Sequence, residues 1–122
     1  MKRELRMETL VVVAATVIGL FASTIMVAAN STAAEALAQQ SGCLKCHAVA
    51  KKKDGPTYRD VAAKYKGKAD AEERLIYHIT SGEKVKFDDG HEEKHKIVKS
   101  KDEKEIKNLA EWILSLEGGT KS

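Results

Sequence analysis

Residues 43–47 read Cys-Leu-Lys-Cys-His and contain the only two cysteines of the 122-residue chain. In a C-x-x-C-H pentad each thiol can add to a vinyl group of haem, and the histidine that follows is placed to ligate the iron. Residues three apart share one face of a helix, so both sulfurs can reach one edge of a flat ring. We therefore predict that Cys43 and Cys46 attach one covalent haem c and that His47 is an iron ligand.

Other interpretations of the two cysteines remain open. A dithiol redox pair is typical of chains with a βαβ pattern, and this chain has no alternating strand pattern. A closed zinc site needs four nitrogen or sulfur ligands, and His91 and His95 have the H-x-x-x-H spacing that could complete a Cys2His2 set. A structural disulfide is the third alternative. The adjacent His47 and the N-terminal segment favour haem over the zinc site.

The N-terminal segment has the form of an export signal. Lys2, Arg3 and Arg6 precede residues 10–29, which carry no charge, and a basic start followed by an apolar run is typical of secretory signals. Small residues follow, so we expect cleavage after Ala29 or Ala34. A cleaved signal usually has an apolar core of about 7–15 residues, whereas a spanning helix needs about 20. An inner-membrane anchor at residues 10–29 is therefore the alternative, and either form leaves the rest of the chain in the periplasm.

We expect residues 1–34 to be the signal peptide or anchor and residues 35–122 to form one small domain. The domain holds few aromatic residues, namely Phe87, Trp112 and three tyrosines, so a buried haem would supply apolar volume that the chain lacks. The net charge is +3, with both signs interspersed and no basic stripe with aromatics. We therefore expect no nucleic acid binding, and membrane contact only through an N-terminal anchor.

The apolar spacing predicts a helical domain. We expect helices at about residues 33–47, 57–65, 69–81 and 101–116, with residues 83–100 as a loop. Gly82 is the expected end of the third helix. Gly42 lies inside the first predicted helix, where glycine is unfavourable by about 1 kcal/mol, so we expect another backbone to approach it closely.

Three motifs together resemble the class I c-type cytochromes, in particular the small bacterial c-551-like type. They are the pentad on an N-terminal helix, DGPTYRDVAAKY at residues 54–65, and LAEWILS at residues 109–115. The resemblance spans nearly all of residues 35–117 and implies an all-α class I cytochrome c fold, with about four helices around one covalently bound haem. It also implies that the first and last helices cross closely at Gly42, that the Pro56 carbonyl accepts a hydrogen bond from His47, and that Trp112 packs near the haem.

The second axial ligand of the iron departs from this family. Relatives of this type supply a methionine from the loop before the last helix, but the methionines here are Met1, Met7 and Met26, all in the N-terminal segment. The corresponding loop instead holds His91 and His95. The alternative is that both histidines belong to a solvated loop, because the residues around them are nearly all charged. An open or weakly held sixth position would then result.

We predict His95 as that ligand and keep His91 as the alternative. Counting back from Trp112 to the position of the methionine in such relatives leads to Lys96, next to His95. His91 follows Asp-Asp-Gly at residues 88–90, a sequence typical of an exposed turn. His78, on the third predicted helix, is expected to be a surface or packing residue.

Two functions remain in view. The first is a periplasmic electron carrier with bis-histidine ligation, at a lower potential than its methionine-ligated relatives, which would dock transient redox protein partners through basic residues near the pentad (Lys45, Lys51, Lys52 and Lys53). The second is a gas-binding haem protein or sensor with a displaceable distal histidine. No nucleophile–base pair stands out, so we do not expect an enzyme.

Overall fold

The computed structural model describes Gly19 and residues 29–116, which form four α-helices and one small hairpin. The predicted signal or anchor at residues 10–29 lies outside the described residues except for Gly19 and Ala29. Within the described part, no helix is long and apolar enough to cross a membrane. The elements in chain order are α1 (Ser31–Gln40), a 3₁₀ turn (Cys43–Lys45), α2 (Tyr58–Tyr65), α3 (Ala71–Ser81), β1 (Lys84–Lys86), β2 (Glu92–Lys94) and α4 (Glu103–Ser115).

Short polar side chains begin three of the helices. Asn30 Oδ1 accepts from the Ala33 amide, Thr57 Oγ1 accepts from Asp60, and Asp102 accepts from Lys104. Each of these bonds satisfies an amide that has no partner within its own helix. The predicted end of α3 at Gly82 is confirmed, since this residue adopts the left-handed conformation with φ of 65°.

The first predicted helix is shorter than we expected. It begins at Ser31, before the expected start of the domain at residue 35, and it ends at Gln40. The pentad therefore does not lie on α1, and its first three residues form the separate 3₁₀ turn. The reason is Gly42, whose φ of 75° interrupts the helix between the two segments.

Helix α1 packs against α4, as the resemblance implies, but Gly42 does not make this contact. A Cβ at Gly42 would meet only the Lys96 side chain, at 3.5 Å. The close approach instead uses small side chains, because Ala34 and Ala38 on α1 and Ala110 on α4 are all 0% exposed. Gly42 is thus required for its positive φ and not for the helix crossing.

The predicted loop at residues 83–100 contains a hairpin that the sequence analysis missed. Strands β1 and β2 pair antiparallel, with Lys84 opposite Lys94 and Lys86 opposite Glu92. The alternation of polar and apolar residues at 84–87 and the turn sequence at 88–90 were the available signals, but they are short, and most side chains of both strands are exposed. The end of this segment is fixed to α3, since the Val98 amide donates to the Ile79 carbonyl at 2.9 Å.

A reciprocal pair of hydrogen bonds ties the start of α1 to α4. The Asn30 amide donates to Asn108 Oδ1 at 2.8 Å, and Asn108 Nδ2 donates to the Asn30 carbonyl at 2.9 Å. Because Asn30 is also the cap of α1, these bonds hold the first helix in register with the last.

We expect Asn108→Ala to lower the free energy of unfolding by about 1–2 kcal/mol, because it removes two hydrogen bonds that are partly open to water. Urea unfolding of the haem-loaded protein, followed by circular dichroism, measures this change. Lys104→Ala, one turn earlier on α4, is the matched control and should leave the curve in place. Equal midpoints for the two variants would contradict the role given to Asn108.

Candidate functional site

A cavity of about 640 Å³ opens between the pentad, α2, α3, the hairpin and α4. Its apolar lining comes from three different helices and includes Val61, Leu75, Ile79, Leu109 and Ile113. Cys43, Cys46, His47, His78 and His95 line the same space. Both cysteines are free and half-buried. The cavity therefore brings together the pentad and one of the two candidate histidines of the distal loop.

The His47 ring is held in one tautomer. Its Nδ1 lies 2.7 Å from the Pro56 carbonyl oxygen, the hydrogen bond that the resemblance implied. A carbonyl oxygen can only accept, so Nδ1 must carry the proton and donate it. The Nε2 atom then keeps its lone pair, which is the electron pair a metal needs.

Gly55 leaves the space that the His47 ring occupies, a role that the sequence analysis missed. A Cβ at Gly55 would lie 2.5 Å from His47 Cε1 and 2.8 Å from Nδ1, far inside van der Waals contact. The Gly55 amide also donates to the Cys46 carbonyl at 2.8 Å. Any larger residue would push His47 away from Pro56. The glycine directly before Pro56 was the available signal.

Tyr58 supports the other side of the His47 ring. The two rings stack with centroids 5.3 Å apart, and Trp112 meets Tyr58 edge-on at 5.7 Å. Burial is the main cause that raises the pKa of Tyr58 and of the nearby Cys43 thiol, so both stay uncharged. Trp112 is buried behind Tyr58, and the described cavity lining from α4 consists of Leu109 and Ile113 instead.

His95 lies across the cavity from the pentad histidine. The ring centroids of His47 and His95 are 6.1 Å apart. Burial, followed by the nearby His78 and His47, lowers the pKa of His95 and favours its neutral form. Its Nδ1 is buried and has no hydrogen-bond partner among the described residues. A neutral, partly unsatisfied imidazole in this position is suited to a metal.

His91 lies elsewhere on the hairpin. It is exposed, stacks on Phe87 at 4.3 Å, and pairs through Nδ1 with Asp89 and through Nε2 with Glu93. The hydrogen bond with Asp89 is the main cause that raises the pKa of His91. Both ring nitrogens thus face carboxylates, and a protonated imidazole has no lone pair to offer a metal.

His78, which we expected to be a surface or packing residue, is half-buried and packs against the ring of His95. It lines the cavity, its ring centroid lies 4.1 Å from that of His95, and its Nδ1 donates to Glu83 Oε1 at 2.5 Å. The sequence offered no signal for the contact between His78 and His95. The two residues are seventeen positions apart, and the path of the segment that carries His95 was not predictable.

The residues present fit a haem iron better than the alternatives. Two bonds of about 2 Å from a metal to imidazole nitrogens, together with the radius of each ring, put the ring centroids about 6 Å apart. The observed 6.1 Å agrees with that sum. By contrast, the described residues hold no group of three or more His, Cys, Asp or Glu side chains that could bind a metal, so the Cys2His2 zinc alternative has no geometric support.

Comparisons with known proteins agree with this geometry. Residues 31–117 match the family model described as cytochrome c. Cytochrome c-551 of Allochromatium vinosum is 41% identical over 96 residues, which cover 78% of this chain and 99% of the relative. Cytochrome c-552 of Hydrogenobacter thermophilus is 36% identical, with 80% and 95% covered.

A solved structure is also similar. The class 1 cytochrome MtoD of Sideroxydans lithotrophicus ES-1 superposes with a TM-score of 0.70 at 59% identity, which covers 73% of this chain and 98% of that one. The four-helix fold thus has a known counterpart. The chain belongs to the cytochrome c family, as a small class I c-type cytochrome with one covalently bound haem c.

Proposed function

We propose that this cytochrome is a periplasmic electron carrier whose iron is held between His47 and His95. The observation that carries the proposal is the 6.1 Å separation of the two ring centroids across the cavity. Cys43 and Cys46 would hold the haem through thioether bonds, and Pro56 would orient His47 through its carbonyl. Trp112 would not contact the haem directly. It would support Tyr58, which in turn stacks on His47.

The bound haem supplies a reversible one-electron step at iron. The residues of the chain then decide what else can happen at the site. Held by both His47 and His95, the iron would have no free position for a substrate, which would suit transfer of electrons rather than conversion of a substrate. A second imidazole in place of a methionine thioether also favours a lower potential.

The choice of His95 over His91 is supported by the surroundings of each ring. His95 is half-buried in the cavity lining, with a buried Nδ1 that lacks a partner. His91 is exposed and is engaged by Asp89 and Glu93. Ligation by His91 would break both contacts and its stack on Phe87, whereas His95 needs no such rearrangement.

Exposed lysines favour a docking surface for transient acidic redox partners. Of the four lysines near the pentad, Lys52 pairs with Asp88 at 2.9 Å, and Lys53 donates to the Leu44 carbonyl at 2.7 Å. Lys45 and Lys51 are exposed. Four further lysines, which the sequence analysis did not single out, line the cavity itself: Lys64, Lys86, Lys94 and Lys96.

We also propose that the export signal is cleaved after Ala29, so that the mature domain begins at Asn30. Cleavage after Ala34 would remove the cap and first turn of α1, including Ala34, which is fully buried. Cleavage after Ala29 loses only that half-buried alanine from the folded part. The backbone nitrogen of Asn30 would still donate to Asn108.

We expect His95→Ala to convert the haem-loaded protein from low spin to high spin, because it removes one of two strong-field imidazoles. Absorption and electron paramagnetic resonance spectra of both oxidation states measure this. His95→Met should keep the low-spin state and raise the midpoint potential. His91→Ala is the matched control and should match the parent protein. A high-spin His91→Ala variant beside a low-spin His95→Ala variant would refute the assignment.

Carbon monoxide distinguishes the carrier from the gas-binding alternative. We expect the ferrous protein to stay low spin and to bind carbon monoxide slowly, because His95 must first leave the iron. Stopped-flow absorption measures the rate, and His95→Ala, with that position open, gives the upper limit. A parent protein that reacts as fast as this variant would favour the gas-binding function instead.

The intact mass of the exported protein tests the cleavage site. We expect the mass of residues 30–122 plus one haem. A chain that begins at Glu35 would contradict the structural argument. A full-length chain recovered in the membrane fraction would support the anchor at residues 10–29.

A further inference from the structure

Three residues form a closed set of contacts at the distal side of the cavity. The Glu83 carbonyl accepts from the His95 amide at 2.8 Å, and the Glu83 carboxylate accepts from His78 Nδ1 at 2.5 Å. The His78 ring then lies against the His95 ring, with centroids 4.1 Å apart and planes tilted by 43°. Glu83 therefore fixes the backbone of His95 and, through His78, contacts its ring.

His95 needs such a support, because its neighbours in the chain are exposed and do little to hold it in place. It follows the last residue of β2, its neighbours Lys94 and Lys96 are exposed, and Ile97 is 54% exposed. The terminal torsion of a histidine is broad, so the backbone alone does not fix the plane of the ring. No hydrogen bond to Nδ1 fixes it either in the described structure.

His78 is held firmly enough to act as that support. It belongs to α3, which Leu75 and Ile79 anchor in the core. The Glu83 carboxylate holds the far end of the side chain, because the left-handed Gly82 lets the chain turn directly after α3. The His78 ring is thus fixed at its helix and at its tip, whereas the ring of His95 is fixed only by contact.

We propose that His78, oriented by Glu83, is a positioning residue that sets the ring plane of His95 and slows its departure from the iron. This inference rests on the proposed ligation by His95. Residues that orient the histidine ligands of a metal commonly change metal affinity by about 10–100-fold when they are removed. His78 is not the ligand in this arrangement, because the described ring contacts of His47 are with Tyr58 and His95.

The test measures how fast cyanide binds to the ferric, haem-loaded protein, since cyanide must displace the distal ligand. We expect His78→Ala to stay low spin and to bind cyanide about tenfold faster or more, with altered g-values in the electron paramagnetic resonance spectrum. Glu83→Ala should shift both readouts in the same direction while its backbone bond to His95 persists. Glu83→Gln should restore values near those of the parent, because its amide oxygen still accepts from His78.

His91→Ala is the matched control, since it removes an imidazole that is also paired with a carboxylate but does not contact His95. It should leave both readouts unchanged. If His78→Ala keeps the cyanide rate and g-values of the parent, the positioning role is refuted while ligation by His95 stands. If His78→Ala becomes high spin, His78 is itself the ligand, and both this inference and the proposed ligand pair are overturned.

Discussion

The hydrogen bond from His47 Nδ1 to the Pro56 carbonyl is the interaction on which the proximal side of the site depends. It decides which ring nitrogen carries a proton, and thereby which one has a lone pair for a metal. It can form only because Gly55 leaves room for the ring, and Tyr58 keeps the ring from turning away. All of these residues lie within one short stretch, between the pentad and the start of α2.

The distal side is built differently, from residues that are far apart in the chain. His95 comes from the segment after the hairpin, and its location depends on a backbone bond to Glu83 and on the bond between Val98 and Ile79. These contacts join the end of α3 to a segment of mostly charged, exposed residues. Although most residues of this segment are charged, two backbone bonds and the buried Val98 side chain hold it so that an imidazole lies over the cavity.

This difference explains which features the sequence could predict. The helices and the end of α3 at Gly82 follow from apolar spacing and from a residue that tolerates positive φ. The pentad and its proline are local motifs. The hairpin has only a short signal, the alternation at residues 84–87 followed by the turn sequence at 88–90. The contact of His78 with His95 is a tertiary one and has no local signal. The role given to Gly42 was wrong for a related reason: a glycine in a sequence shows that space or positive φ is needed, but not which of the two.

The two sides of the site also differ in how firmly each histidine ring is held. On the proximal side the ring is fixed by a hydrogen bond within a short loop and by a stacked, buried tyrosine that is itself supported by Trp112. On the distal side the support is an exposed segment and a second histidine whose partner carboxylate is partly open to water. His47 has a hydrogen bond at Nδ1, whereas His95 has none among the described residues. In the proposed ligand pair the bond to His95 would therefore break first, and covalent attachment through the pentad would keep the haem in place.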